Sequence, residues 1–313
     1  MAFKRMPQTF SAKINEVTLG TGDKAVTIGG ENTFPLYTFD APASHKVAVG
    51  FELTDSGVDT TVPGIAALVE GAANVADMAK KAEALPEVDF IALSLIGADP
   101  NGDNKSVDDC VALAKDVAAA ITKPLVIMGC KNVEKDGQLF EKIAEALQGK
   151  NVLFVSTKEE NYKVVSAAAG IAYNQKISAE SAVDINLAKQ LNVLINQMGV
   201  KPENHVMNVG SAAAGYGFEY VASTLDRVKA AALSQNDAML QMPIITPAGD
   251  EAWGVKEAVV TEEDVPEWGA REERGIAMEV STAASCIAGG SNAVILKHPQ
   301  SVKTIAQLVG SLM

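Results

Sequence analysis

FIALSLIGADPNGDNKSVDDCVALAKDVAAAITKPLVIM, residues 90–128, contains one complete unit of the repeat that decides the fold. An apolar run at 90–95 ends in Gly97-Ala98-Asp99-Pro100-Asn101-Gly102, a turn-forming loop. Val107, Cys110, Val111, Ala114, Val117, Ala118 and Ile121 then keep an i, i+3, i+4, i+7 stripe, which predicts an amphipathic helix. Ser106, with Asp109 three residues on, resembles a capping box with Asp in place of Glu. A second apolar run follows at 125–128, so the unit reads strand, loop, helix, strand.

Outward from this unit the same rhythm occurs eight times. Strands are predicted at 47–53, 90–95, 125–128, 152–155, 176–179, 205–209, 243–246 and 293–296. Helices are expected near 69–82 and 138–147, and through Val164, Val165, Ala168, Ile171 and Ala172 as a buried stripe. Leu187, Ala188, Leu191, Leu194, Ile195 and Met198 form another stripe that Gly199 is placed to end, and Val302, Ile305, Ala306, Val309 and Leu312 form the last. Alternation of this kind predicts an α/β fold, a (β/α)₈ TIM barrel. Residues 1–44 stand outside the repeat. Alternating runs at 12–19 and 25–30 flank Gly20-Thr21-Gly22-Asp23 and predict an N-terminal β-hairpin extension, a plug for the N-terminal mouth of a barrel spanning 45–313. After the seventh strand comes a long loop at 249–273, beyond the usual βα length.

Composition narrows the function. A chain of 313 residues, 48% hydrophobic, suits one barrel core. With 39 acidic against 26 basic residues, the net charge of −13 repels a phosphate backbone and disfavours nucleic acid. No apolar run is long enough for a membrane span, and Met1-Ala2-Phe3-Lys4-Arg5-Met6-Pro7 lacks a secretory core, so a cytoplasmic protein is expected. Cys110, Cys130 and Cys286 have no CxxC spacing, which leaves this chain without a cysteine set for an iron–sulfur cluster or a Cys₄ zinc site. Cys110 and Cys286 fall on apolar helix stripes, whereas Cys130 ends a strand and is expected near the functional face. His45, His205 and His298 are scattered; His298, just past the eighth strand, is either a ligand or base or a structural residue before Pro299.

In such barrels the working residues lie on the loops after the strands. Residues 210–217 carry three glycines and expose backbone N–H groups, but no Lys-Ser/Thr follows, so they are not a P-loop. Trp253 and Trp268, both on the long insertion, mark a docking surface, a lid or a self-packed loop. Asp99, Asn161, Asp184 and Asn186 stand at or just past strand ends, as acid–base groups or as helix caps.

Taken in order, the strand-end sequences resemble a known family. Gly97-Ala98-Asp99-Pro100 is followed by Ser106-Val107-Asp108, by Gly129-Cys130 with Val133-Glu134-Lys135-Asp136, and by Glu160-Asn161-Tyr162-Lys163. Then come Asp184-Ile185-Asn186 with Lys189-Gln190-Leu191-Asn192, Gly215-Tyr216-Gly217-Phe218-Glu219-Tyr220, Glu251-Ala252-Trp253 with Lys256-Glu257, and Lys297-His298-Pro299. Over about residues 10–313 the set resembles the small subunit of the corrinoid iron–sulfur protein, related to the delta subunit of acetyl-CoA decarbonylase/synthase. The resemblance implies a heterodimer with a large corrinoid iron–sulfur subunit that carries the corrinoid and the [4Fe-4S] cluster. It also implies a methyltetrahydrofolate methyltransferase, an acetyl-CoA synthase and a reductive activator as partners in methyl transfer. The barrel face would cover the corrinoid. Thr157, Asn161, Asp184, Asn186, Gly215, Tyr216 and Gly217 are then expected at the corrin edge or its amides, with Trp253 near the cofactor or the large subunit. The alternative is a stand-alone pterin-binding barrel methyltransferase, in which Asp99, Asn101, Asp184 and Asn208 would hold the pterin.

Overall fold

The computed structural model describes residues 6–313; Met1–Arg5, most of the stretch read for a secretory core, lie outside the described residues. Eight parallel strands form one sheet: β3 (Ala48–Thr54), β4 (Phe90–Ser94), β5 (Leu125–Met128), β6 (Leu153–Thr157), β7 (Lys176–Glu180), β8 (His205–Asn208), β9 (Ile245–Thr246) and β10 (Ala293–Leu296). They follow chain order around the sheet, with β10 pairing both β3 and β9. The cylinder closes between β8 and β9, where Met207 N–H donates to Pro243 C=O at 2.8 Å. This is the TIM barrel that the eightfold rhythm predicts.

Period-two alternation sorts each strand between two cores. Phe51, Leu53, Ile91, Leu93, Ile127, Phe154 and Ile177 face the helix layer. Ala48, Phe90, Ala92, Val126, Leu153, Val155, Val206, Ile245, Ala293 and Ile295 fill the lumen. Before the barrel, β1 (Val17–Leu19) and β2 (Val26–Ile28) pair as an antiparallel hairpin. Its fully buried Val17, Leu19 and Ile28 pack into the lumen core. Gly20 N–H donates to Asn151 C=O, and the Asn151 amide returns bonds to Thr18 and Gly20 carbonyls, so the hairpin lies across the strands' N-terminal ends.

The helix layer departs from the sequence expectations in three places, apart from one early helix start. The helix expected at 69–82 is two, α1 (Pro63–Val69) and α2 (Val75–Glu83). Gly71, at φ +77°, turns the chain, and the Asn74 side chain caps α2 by accepting Asp77 N–H. Helix α3 (Val107–Ala120) has its Ser106 cap as read, and α4 (Val133–Ala146) starts earlier than expected because Asn132 caps it. After α5 (Tyr162–Val165) the chain continues as a π-helix, Ser166–Ala172. That wider turn rotates the stripe: Val165 and Ala169 are buried, while Val164 and Ile171, expected inside, are nearly half exposed. The third departure is the insertion, which is not one open loop. It folds as α8 (Ala248–Ala252), α9 (Lys256–Val259) and a 3₁₀ turn at Pro266–Trp268, leading into α10 (Arg271–Gly289). Helices α6 (Ile185–Met198), α7 (Phe218–Ser234) and α11 (Pro299–Leu312) complete the layer. Cys130, expected near the functional face, is instead fully buried, its N–H donating to Asp136 Oδ1 at 2.6 Å. Burial pushes its thiol up to about 12. No helix among the described residues is long and apolar enough to cross a membrane.

Candidate functional site

The lumen column that is apolar at its base turns polar at its top. Glu52, Ser94, Glu180, Asn208 and Lys297 are reached by the same period-two alternation that buries Ala48, Phe90, Val206 and Ala293. At this C-terminal end opens a cavity of about 220 Å³ with Ser94, Lys131, Ser156, Glu180, Asn208 and Asp250 in its wall. Asn208 Nδ2 donates to Ser156 Oγ at 2.9 Å and Asn208 Oδ1 accepts Gly210 N–H at 3.0 Å, so both ends of this amide are fixed. Lys158 lies 3.3 Å from Glu180 across the mouth.

A charged network forms the floor on the β10 side. Lys297 Nζ donates to Asp250 Oδ1 at 2.9 Å and lies 3.6 Å from Glu52 Oε1, and Lys131 Nζ reaches Asp250 Oδ2 at 2.6 Å. Burial opposes ionisation of Asp250, but Lys297 and Lys131 outweigh it and hold its carboxyl at about 2. Glu52 goes the other way. Burial pushes it up, Lys297 pulls it back, and Asp250 and Glu279 push it up again, to about 7. Glu279, wholly buried, accepts the backbone N–H groups of Lys297 and His298 and fixes the turn after β10.

The residues singled out from the sequence occupy three settings. Thr157 and Asn161 are buried. The β6–β7 register shifts between Phe154 and Thr157, so Thr157 pairs with Ala179 while Val155 and Ser156 meet the mouth. Asn161 accepts Lys158 N–H and donates to Val133 C=O, a brace between loops. Asp184 caps α6 through bonds from Asn186 and Leu187 N–H, and both Asp184 and Asn186 are exposed on the rim. Gly215 and Gly217, at φ +88° and +82°, turn the loop ahead of α7 so that Tyr216 is half exposed, its hydroxyl donating to Glu257 at 2.6 Å. Trp253 lies outside the mouth cavity and borders a second one, with its ring stacked on His298 at 5.8 Å. His298 itself caps α11 through Nδ1 and meets Glu272 through Nε2, which is the structural role.

Of the pterin set, only Asn208 lines the mouth. Asp99 is spent on Asn101, accepting its backbone N–H and its side-chain amide. The wall residues Ser94, Lys131, Ser156, Glu180 and Asp250, with Glu52 and Lys297, are the ones a loop-centred reading misses. For Glu52, Ser94, Glu180 and Lys297 the signal is an inward position at or just past a strand end, where a polar residue interrupts an apolar parity; Lys131, Ser156 and Asp250 carry no such mark.

On the loops and helix starts after β4, β7, β8 and β9, at the same end as this polar mouth, stand exposed apolar side chains: Ile96, Val183, Tyr216, Tyr220, Val259 and Trp268. Val183 is held there in a left-handed conformation, φ 60°, by its N–H bond to Val209 C=O and by Thr224 Oγ1 bonding its carbonyl. A β-branched residue rarely adopts that geometry.

Comparison with known proteins fits this architecture. The barrel is similar to dihydropteroate synthase from Xanthomonas albilineans, with TM-score 0.54 and 10% identity over 95% of this chain and 98% of that one. It is equally similar to the Coxiella burnetii dihydropteroate synthase, with TM-score 0.54 and 8% identity over 86% and 94% of the two chains. At such identities the likeness shows the fold alone. In sequence, the chain is 30% identical over 328 residues to acetyl-CoA decarbonylase/synthase complex subunit delta of Archaeoglobus fulgidus, covering 99% of this chain and 71% of that protein. It is also 30% identical over 308 residues to the Methanothermobacter thermautotrophicus subunit delta, covering 96% and 76%. A family model described as CO dehydrogenase/acetyl-CoA synthase delta subunit matches residues 16–299. The chain therefore belongs to the CO dehydrogenase/acetyl-CoA synthase delta subunit family.

Proposed function

We propose that this chain is the barrel subunit of a corrinoid methyl carrier, its C-terminal rim lying over a corrinoid held by a larger iron–sulfur partner. The observation that carries the reading is the rim itself, a polar mouth whose surrounding loops after β4, β7, β8 and β9 carry exposed apolar side chains. A cavity of about 220 Å³ falls short of the volume that encloses a drug-sized ligand, so a macrocycle would be covered and not swallowed.

The residues fit a neutral macrocycle fringed with amides. Asn208, Ser94 and Ser156 offer matched donors and acceptors, and the nearby charges are already paired within the protein. Asp184, Asn186 and Tyr216 extend the polar contacts along the rim, and Gly215 and Gly217 set the approach of the backbone there. Among the described residues no His, Cys, Asp and Glu side chains are grouped as a metal ion requires. His298 is engaged at both ring nitrogens, and His205 is buried at the base of β8. When bound, the corrinoid supplies the methyl-carrying metal; this chain excludes water from one side and presents fixed hydrogen-bonding groups. Its proposed partners are the large subunit, a methyltetrahydrofolate methyltransferase, acetyl-CoA synthase and a reductive activator.

Two measurements test this reading. Tyr216→Ala should weaken retention of the corrinoid-loaded large subunit about tenfold, as truncation of an interface aromatic does. Ile171→Ala, equally exposed but on the helix layer, should leave it unchanged. The isolated chain titrated with methyltetrahydrofolate should show no saturable binding. Tight binding without a partner, or equal retention by the two variants, would favour the pterin enzyme instead.

A further inference from the structure

A second cavity of about 200 Å³ opens on the same face, between the end of β3 and the insertion, walled by Glu52, Thr54, Val58, Ile65, Trp253 and Lys297. Its chemistry is unusually specific. Glu52 is 3% exposed; Oε1 faces Lys297, while Oε2 has no hydrogen-bond partner. A buried acceptor left this way costs stability unless something donates to it. Lys297 brings three N–H donors, of which Asp250 Oδ1 engages one at 2.9 Å, while Glu52 Oε1 at 3.6 Å is an ion-pair partner beyond hydrogen-bond reach. The wall thus offers one open acceptor beside one open donor, with the Trp253 indole, Val58 and Ile65 supplying apolar contact.

Charge selects among occupants. A small anion meets Glu52 and Asp59, and a small cation meets Lys297 and Arg271; all four border the cavity, and Arg271 is paired with Asp59 at 3.1 Å. A neutral planar group that donates and accepts on adjacent atoms satisfies both without adding charge. A primary carboxamide does so, its N–H to Glu52 Oε2 and its C=O to Lys297.

We propose that this cavity is a socket for a primary carboxamide, and that the carboxamide is a side chain on the edge of the corrinoid. The second half rests on the covering role argued above; the first half stands on the cavity alone. Propionamide is the probe. Added to the full chain above pH 7, where Glu52 is ionised, it should shift the Trp253 indole N–H resonance saturably, the signal being assigned with Trp268→Phe. Propionate and propylamine, of matching size and opposite charge, should not. Glu52→Leu, which removes the acceptor, and Val58→Trp, which fills the space and leaves the charges intact, should each abolish the shift. A shift common to all three probes, none with propionamide, or one that survives Val58→Trp overturns the socket. A second arm repeats the titration on the complex of this chain with the corrinoid-loaded large subunit. Loss of the propionamide shift there supports the corrinoid as the source. An unchanged shift leaves the socket standing and removes the corrinoid from it.

Discussion

The two mouths of this barrel are built from the same strands and closed by opposite means. At the N-terminal end, the hairpin's Val17, Leu19 and Ile28 complete an apolar lumen, and the adjoining polar cluster is fully satisfied. Lys229, 2% exposed at its side chain, donates to Glu31 at 2.7 Å and Asn292 at 3.1 Å, and the Asn292 amide donates to Glu31 at 2.8 Å. At the C-terminal end, Lys297 is shared between Asp250 and Glu52, and one Glu52 oxygen has no partner. The sealed end has its buried charges matched within the chain, and its unpartnered atom, His205 Nε2 at the base of β8, is on a neutral side chain that burial holds down to about 3. The open end keeps groups whose matching partners this chain does not supply, and that is the physical content of calling it a binding face.

The largest expected effect lies at the sealed end. Lys229→Met leaves Glu31 beside Asn292 with no cation and should cost about 3 kcal/mol, the low end for breaking a buried pair, because Glu31 keeps some contact with water. Burial alone would raise the Glu31 carboxyl, but Lys229 and Asn292 outweigh it and hold it below its ordinary 4.5. A depressed carboxyl contributes stability that is present above the unfolded value and lost as pH falls through the folded one. Urea unfolding of the variant should show both the lower stability and a weaker loss on acidification below 4.5. A variant as stable as the wild type would show that the plug does not depend on its charge cluster.

The open end should respond to pH with the reverse slope. Glu52, raised from 4.5 to about 7, keeps its proton in the folded state while the unfolded chain releases it. Stability should therefore fall as pH rises from 4.5 to about 7, then level off. Glu52→Gln removes this contribution. The stability difference between wild type and variant should shift against the wild type across that window. A difference independent of pH would mean that Glu52 is ionised throughout and that the two ends are electrostatically alike.

The legibility of the sequence follows the same division. The eight strands and most helices were readable because burial imposes a period on them, and the hairpin was readable from its alternation around Gly20-Thr21-Gly22-Asp23. The π-helix was not, since its widened turn puts Val164 and Ile171 outside with no mark in the residue types. Nor was the β6 register shift, which decides that Ser156 and not Thr157 faces the mouth. Asn161 and Asp184 were visible as polar strand-end residues, yet a brace, a cap and a ligand contact use the same side chains, and only geometry separates them. Glu52 and Lys297 were open to the parity argument, because an ionisable residue in an inward column of Ala, Gly and Val-like positions is costly unless used. The insertion's short helices carried too few residues for a period.

The smallest effect bears on how the open rim is held. Val183 is in the left-handed region and 38% exposed, fixed by Val209 and Thr224. Val183→Ala and Val183→Gly remove the same branched side chain but differ in backbone freedom. Alanine retains the left-handed cost of about 1–2 kcal/mol. Glycine escapes it and gives back about 0.5–1 kcal/mol in unfolded-state entropy. The glycine variant should therefore be the more stable by about 0.5–1 kcal/mol in urea unfolding. If the strained residue is there to present its side chain, the two variants should lose affinity for the large subunit equally, despite their different stabilities. Equal stabilities would remove the strain argument. Wild-type affinity in both would leave Val183 as a consequence of the turn before α6, with the rim's apolar contact carried by its aromatic members.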